Sequence, residues 1–342
     1  MKSYYSFDDI FLIPKFTDCF SRSDLSTSVE IGDFSLKIPV ISANMDTITG
    51  PAMATEMWGL GAVGALHRFS TIDENLKMYE KITDSNANCF VSIGVNGDSI
   101  DRARTLYSAG ARHFIIDIAH GHSEMMRTAL RDLRKYFKSK IYIVAGNVAT
   151  PDAVNDLASW GADCVKVGIG AGSCCKTRVV TGHGVPMFSC LLECCAQADI
   201  QGVKVIADGG IRGSGDAVKA FAAGSDLVMI GSLLAGSIET PGKMVSTKDG
   251  VMKEFRGMAS QEAMRSRYGS TRTNLPTDEG VGTYVKSKGP VNQIIINLKK
   301  GIQSGMSYCG AKQLSEISIK SQWGVQTFSG LYEGTPHILA KS

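Results

Sequence analysis

The feature that most constrains this chain is a strand-then-helix rhythm repeated eight times. Short runs rich in β-branched and apolar residues fall at Pro39–Ala43, Ala62–Leu66, Phe90–Gly94, His113–Asp117, Ile141–Ala145, Asp163–Val167, Lys204–Asp208 and Asp226–Ile230. Most begin 22 to 28 residues after the last, the length of one strand plus one helix. The sixth interval is longer, about 40 residues, and opens on a glycine-rich segment. The helical stretches between the runs end alike: Gly-Leu-Gly-Ala (59–62), Ala-Gly-Ala (109–111), Trp-Gly-Ala (160–162) and Ala-Gly-Ser (223–225). Glycine there suits the left-handed turn that closes a helix before the next strand. Thr150-Pro151-Asp152 and Ser214-Gly215-Asp216 read as helix starts. Alternation alone also fits a doubly wound sheet, but eight even units without GxGxxG after the first strand predict an α/β TIM (β/α)8 barrel. The expectation is a single catalytic domain over residues 1–342, with a mobile flap at about 243–285, where the pattern turns polar. Helical periodicity resumes over Val291–Met306, and the last thirty residues read as a C-terminal surface tail.

Composition narrows the function classes. A formal net charge of +3, with no Lys/Arg-rich run, argues against a nucleic-acid partner. No apolar stretch is long enough for a signal peptide or a membrane span. Nine cysteines, two pairs of them adjacent (Cys174-Cys175 and Cys194-Cys195), do not form a spaced disulfide framework, so the expected compartment is the cytoplasm.

In such a barrel the chemistry lies at the C-terminal ends of the strands. The residues that follow the strands are Asn44-Met45-Asp46, His67-Arg68, Asp117 with His120 and His122, Gly146-Asn147, Gly168–Arg178, Asp208-Gly209-Gly210 and Gly231-Ser232. Loops are commonly polar and glycine-rich, so no one of these is decisive; their joint placement is. Asp208-Gly209-Gly210-Ile211 and Gly231-Ser232, after the seventh and eighth strands, fit a phosphate cradle of backbone N–H groups. A carboxylate is repelled by phosphate, so Asp208 is expected to face a ribose hydroxyl pair. In Gly168-Ile169-Gly170-Ala171-Gly172-Ser173-Cys174-Cys175-Lys176-Thr177-Arg178, the glycines let the backbone fold tightly, and a cysteine at its end can attack an electrophilic carbon. Lys176 and Arg178 are expected to favour its thiolate if they point inward. His120 and His122 lack a third ligand at metal spacing, and Cys194-Cys195 read as helix packing.

At the cysteine loop the sequence resembles the IMP dehydrogenase/GMP reductase family, whose signature is close to G-[IV]-G-P-G-S-x-C-T-T-R. Here Ala171 replaces the proline and Lys176 the first threonine. The resemblance extends through Ser42-Ala43-Asn44-Met45-Asp46-Thr47, Ala145-Gly146-Asn147-Val148, Ala207-Asp208-Gly209-Gly210-Ile211, Gly231–Gly236 and Arg256-Gly257-Met258. It implies a covalent thioimidate intermediate between Cys175 and purine C2, with Thr177 and Glu279 assisting proton transfer. It implies nucleotide contacts from Ser42, Met45, Ser173, Asp208, Gly209, Gly210, Gly231, Ser232, Gly257 and Met258. A nicotinamide cofactor is implied beside Asp117, Ile118, Ala119, Gly168 and Gly170. The carbonyls of Gly170, Gly172 and Cys175 resemble the family's monovalent-cation site, with K+ as the ion, and the family assembles as a homotetramer.

A reductase in this family converts GMP to IMP and ammonia with NADPH; a dehydrogenase converts IMP to XMP with NAD+ and needs an Arg-Tyr pair on a long flap to activate water. Asn44, Phe255 in place of the dehydrogenases' phosphate-binding tyrosine, and the short stretch from Gly257 to Gly280 are reductase-like. No pair of regulatory CBS modules is inserted. Arg267-Tyr268, Ala119-His120-Gly121-His122-Ser123 and the tail Ser329–His337 are dehydrogenase-like. The expectation is a GMP reductase, with an IMP dehydrogenase as the alternative and a non-catalytic purine nucleotide sensor as the third reading.

Overall fold

A computed structural model describes residues 2–248, 250–268 and 277–336, with 266–268 described by backbone only. Its centre is a closed, all-parallel eight-stranded barrel. The barrel strands are β1 (Val40–Ser42), β2 (Val63–Leu66), β3 (Cys89–Ile93), β4 (His113–Asp117), β5 (Tyr142–Val148), β6 (Cys164–Val167), β7 (Lys204–Asp208) and β8 (Leu227–Ile230). Each pairs with the next, and β8 closes on β1 with Val228 opposite Val40. All eight expected strands are present. They read as apolar runs because the barrel interior and the outer helices bury both of their faces.

The helices form for local reasons that the sequence carries. In Glu124–Phe137, Met126, Ala129, Leu130, Leu133 and Phe137 recur at helical spacing and are buried, while the Ser123 side chain accepts a hydrogen bond from the Met126 amide. Thr150 caps Pro151–Trp160 in the same way. Gly61, Gly110, Gly161 and Gly224 all hold positive φ, from 83° to 111°, as the helix-end pattern requires. Helix Ser214–Ala222 departs from expectation: its cap is Gly213, and Asp216 serves the turn by accepting from the Arg212 amide at 2.9 Å.

The two ends of the barrel are finished differently. At the N-terminal end an antiparallel hairpin, Val29–Ile31 with Phe34–Leu36, packs on the strand starts. Phe34 stacks on His113 with ring centroids 3.6 Å apart and meets Phe90 edge-on at 5.6 Å. Burial drags the His113 imidazole down to about 4, although the Asp33 carboxylate lies 2.7 Å from Nε2.

At the C-terminal end lies the segment expected as a flap. It carries a three-stranded antiparallel sheet, Met244–Thr247, Gly250–Arg256 and Gly282–Lys286, and a helix, Gln261–Tyr268. The buried Lys253 ammonium fastens this sheet to the barrel by donating to the carbonyls of Ser237, Ile238 and Thr240 at 2.9, 2.9 and 2.5 Å. The expected tail is also part of the fold. Trp323–Val325 pairs antiparallel with Ile10–Leu12, and the Trp323 ring meets Phe188 at 5.1 Å. A mostly exposed strand of three residues is too short to show the apolar pattern that marks a barrel unit, and its partner lies about 300 residues away. His337 lies outside the described residues. No described helix is long and apolar enough to cross a membrane.

Candidate active site

Lys166 sits inside the apolar strand β6 and is almost fully buried. A buried ammonium costs several kcal/mol unless it is paired. Its Nζ lies 3.0 Å from Asp117 Oδ1 at the end of β4 and 2.7 Å from Asp208 Oδ2 at the end of β7, and it also donates to Asn147 Oδ1 on β5. Burial pulls the lysine's pKa down, but the two carboxylates outweigh it and hold the pKa above its usual value. Burial likewise pushes Asp117 up, and Lys166 and Arg68 together draw it below the usual carboxylate range. Asn147 Nδ2 completes the network, donating to Asp208 Oδ2 at 2.9 Å and to the Gly168 carbonyl at 2.7 Å. Lys166 is the residue that sequence reasoning missed. The signal was a cation in the middle of Cys-Val-Lys-Val, which a buried strand tolerates only with partners.

The nucleophile loop leaves β6 by a close backbone approach. Gly168 has φ +142°, and a Cβ there would lie 2.0 Å from the Asp208 carbonyl oxygen. The loop then turns, with the Cys175 amide donating to the Gly172 carbonyl at 3.0 Å. Cys175 is exposed, whereas Cys174 is buried and its thiol is pushed up by burial. Cys175 Sγ donates to Thr177 Oγ1 at 3.2 Å, and Thr177 Oγ1 donates to Glu279 Oε2 at 2.7 Å. Thiol, hydroxyl and carboxylate thus form one directed chain for a proton.

The expected flanking cations do not serve the thiol. Lys176 is committed to Asp278, with Nζ 2.9 Å from Oδ2. Arg178 is exposed, and its stem lies against Gly170 and Gly184.

One cavity of about 390 Å³ gathers the strand ends. Of the expected catalytic and nucleotide residues, Met45, Ser173, Cys175, Thr177, Asp208, Gly209, Gly210, Gly231, Ser232, Gly257, Met258 and Glu279 line it. Ser42 does not: it is fully buried below the mouth, and its Oγ accepts from Thr49 Oγ1 at 2.8 Å. The side chains of Arg267 and Tyr268 lie outside the described residues. Phe255 lines the cavity without a hydroxyl to offer a phosphate. Asp46 stands beside it, paired with Arg256 at 2.5 Å, and its amide reaches Met258 Sδ at 3.3 Å. These contacts seat the flap base on the loop after β1. His122 faces Asp156 at 2.9 Å, on the outward side of the loop after β4.

The residues expected at a nicotinamide cofactor, Asp117, Ile118, Ala119, Gly168 and Gly170, line the same cavity. They fit a planar ring. Gly168 and Gly170 add no side chain to the cavity wall, and Gly170 packs tightly on the Arg178 stem, where a Cβ would lie 2.2 Å away. Of the carbonyls expected at a monovalent cation, that of Gly172 closes a turn by accepting from the Cys175 amide, and Gly170 precedes that turn.

Comparison with known proteins finds a family and a fold match. Residues 4–337 match the model of the IMP dehydrogenase / GMP reductase domain. An inosine-5'-monophosphate dehydrogenase from Cryptosporidium parvum is 36% identical over 97% of this chain and 94% of its own. A GMP reductase from Clostridium acetobutylicum is 36% identical over 93% of this chain and 94% of its own. A crystal structure of a GMP reductase variant from Trypanosoma brucei, in complex with guanosine 5'-monophosphate, superposes with a TM-score of 0.93 at 28% identity, covering 99% of each chain.

Proposed function

This chain belongs to the IMP dehydrogenase/GMP reductase family, a family of NAD(P)-dependent purine nucleotide oxidoreductases, and from that premise we propose that it is a GMP reductase. The observation that carries the reading is the chain from Cys175 through Thr177 to Glu279. The Cys175 sulfur adds to C2 of GMP, and its proton passes through the Thr177 hydroxyl toward Glu279. Glu279 and Thr177 return a proton to the C2 amino group, the C–N bond breaks, and ammonia leaves a thioimidate on Cys175. NADPH, when bound, supplies the hydride that C2 accepts. The C–S bond then breaks, IMP departs and the thiolate is regenerated.

Gly210, Gly231 and Ser232 hold the phosphate and Asp208 the ribose hydroxyls, while Lys166 fixes the orientation of Asp208. Lys166 also holds Asp117 on the nicotinamide side, so one ammonium sets the spacing between the two ligands. K+ is proposed at the carbonyls of Gly170, Gly172 and Cys175.

The dehydrogenase reading rests on Arg267-Tyr268. It requires a flap long enough to deliver that pair to the covalent purine, and the stretch from Gly257 to Gly280 is short for this. The test is to offer GMP with NADPH and, separately, IMP with NAD+ in the presence of K+. NADPH consumption with GMP, ammonia released in step, and little XMP from IMP are expected. Sustained XMP formation that disappears in Arg267→Ala, with GMP inert, would make the chain a dehydrogenase.

A further inference from the structure

Lys176 stands where the family signature has threonine, and none of the chemistry above uses it. We propose that Lys176 and Asp278 form a latch that fastens the end of the flap to the nucleophile loop and so positions Glu279 against Thr177. The inference rests on the Thr177–Glu279 relay of the proposed function. Around the ion pair, at 2.9 Å, the two segments form a short antiparallel bridge. The Lys176 amide donates to the Glu279 carbonyl at 2.7 Å, and the Val281 amide donates to the Cys174 carbonyl at 3.0 Å. On its other side the same stretch is held by Gly257 N to Val281 O at 3.0 Å and Glu279 N to Ala259 O at 3.1 Å.

An isolated pair of backbone bonds joining segments about 100 residues apart is marginal by itself. The side-chain pair adds a second attachment one residue away from the relay on each segment, since Lys176 neighbours Thr177 and Asp278 neighbours Glu279. It also answers an electrostatic problem. Asp278 and Glu279 are adjacent carboxylates, and Glu279 reaches the Cys175 thiol through Thr177, so a second uncompensated negative charge next to the relay disfavours the thiolate. Lys176 neutralises the one that takes no part in the relay and holds its carboxyl below the usual range through their hydrogen bond. A threonine at 176 lacks both the charge and the reach. Lys176 and Asp278 are therefore positioning residues, and this chain carries the device in the place where its signature departs from the family's.

The test uses the full chain with Lys176→Thr, Lys176→Arg, Asp278→Asn and the Lys176→Thr/Asp278→Asn double variant. Turnover is measured with whichever nucleotide and cofactor pair the wild type uses. Amide hydrogen exchange at residues 176 and 281 is measured on the ligand-free protein. Each neutralising single variant is expected to lose about two- to fivefold in kcat with KM nearly unchanged, the size of a partly exposed ion pair. The double variant loses no more than the worse single, Lys176→Arg keeps most of the activity, and exchange quickens in step with the loss. High salt brings the wild type down to the level of the double variant and leaves the double unchanged.

Additive losses, or exchange unchanged while kcat falls, would overturn the latch. Faster exchange with kcat intact would overturn its positioning role. Because the exchange arm needs no turnover and the kinetic arm uses whichever reaction the protein performs, a dehydrogenase outcome in the earlier test leaves this one readable.

Discussion

The two ends of strand β4 are four residues apart in sequence and opposite in kind. His113, at its start, is buried among Phe34, Phe90 and Tyr142 and is kept neutral. Asp117, at its end, is kept ionised by Lys166 and Arg68. The same contrast runs around the barrel: the strand starts meet a hairpin and an aromatic stack, while the strand ends meet glycine turns, carboxylates and the flap. A titratable group taken out of water either loses its charge or acquires a partner. His113 takes the first course and helps to hold the N-terminal end together; Asp117 takes the second, at the end where the cavity lies.

Mutating one end should leave the other's property untouched, and the largest effect is expected at the mouth. Cys175→Ala should lower kcat by more than about a thousandfold, over 4 kcal/mol, because no other described thiol lines the cavity exposed. Nucleotide binding by calorimetry and the melting temperature should stay close to wild type, and Cys174→Ala should be mild in turnover. Equal loss in the two cysteine variants would remove the reason for choosing Cys175.

At the opposite end, Phe34→Ala strips the stack on His113 and should cost about 3–5 kcal/mol of stability by denaturant titration. Turnover per folded molecule should be unchanged. A fall in kcat matching that of a mouth variant would show that the two ends are not separable.

The smallest effect concerns pH. His113 is neutral in the fold down to about 4, whereas an unfolded chain protonates it near 6.5. As pH falls from about 6.5 toward 4 the unfolded state takes up a proton that the fold refuses, so stability present above 6.5 is lost, by at most about 1.4 kcal/mol per pH unit. His113→Gln should flatten the curve in that window; parallel curves for the two proteins would assign the acid sensitivity elsewhere.

The fold was legible because a barrel strand buried on both faces must be a continuous apolar run, and eight such runs at even spacing leave few alternatives. Most of the cavity lining was legible because glycine and charge recur jointly at the strand ends, and the family resemblance pointed to Cys175, Thr177 and Glu279 among it. What escaped was what depends on distant partners. Ser42 sits beside site residues in sequence, yet the pleat turns it into the interior, where Thr49 holds it. Lys176 looked like an activator of its neighbour Cys175, and only the return of the chain at Asp278 shows where its charge is spent. Trp323–Val325 is too short and too exposed to carry a pattern, and only its pairing with Ile10–Leu12 makes it a strand.

That last pairing bears on how the protein is made. During synthesis Ile10–Leu12 emerges early and its partner emerges about 300 residues later, an interval of roughly 15 to 60 s at ordinary elongation rates. Through that interval the strand is an unpaired edge that carries Phe11 and is followed by Ile13, both still exposed in the finished fold. The barrel itself stays open until β8 reaches β1, because Val228 must find Val40. Both closures are long-range, so the nascent chain carries two unpaired seams until their partners have emerged, the period in which it is most open to wrong pairing.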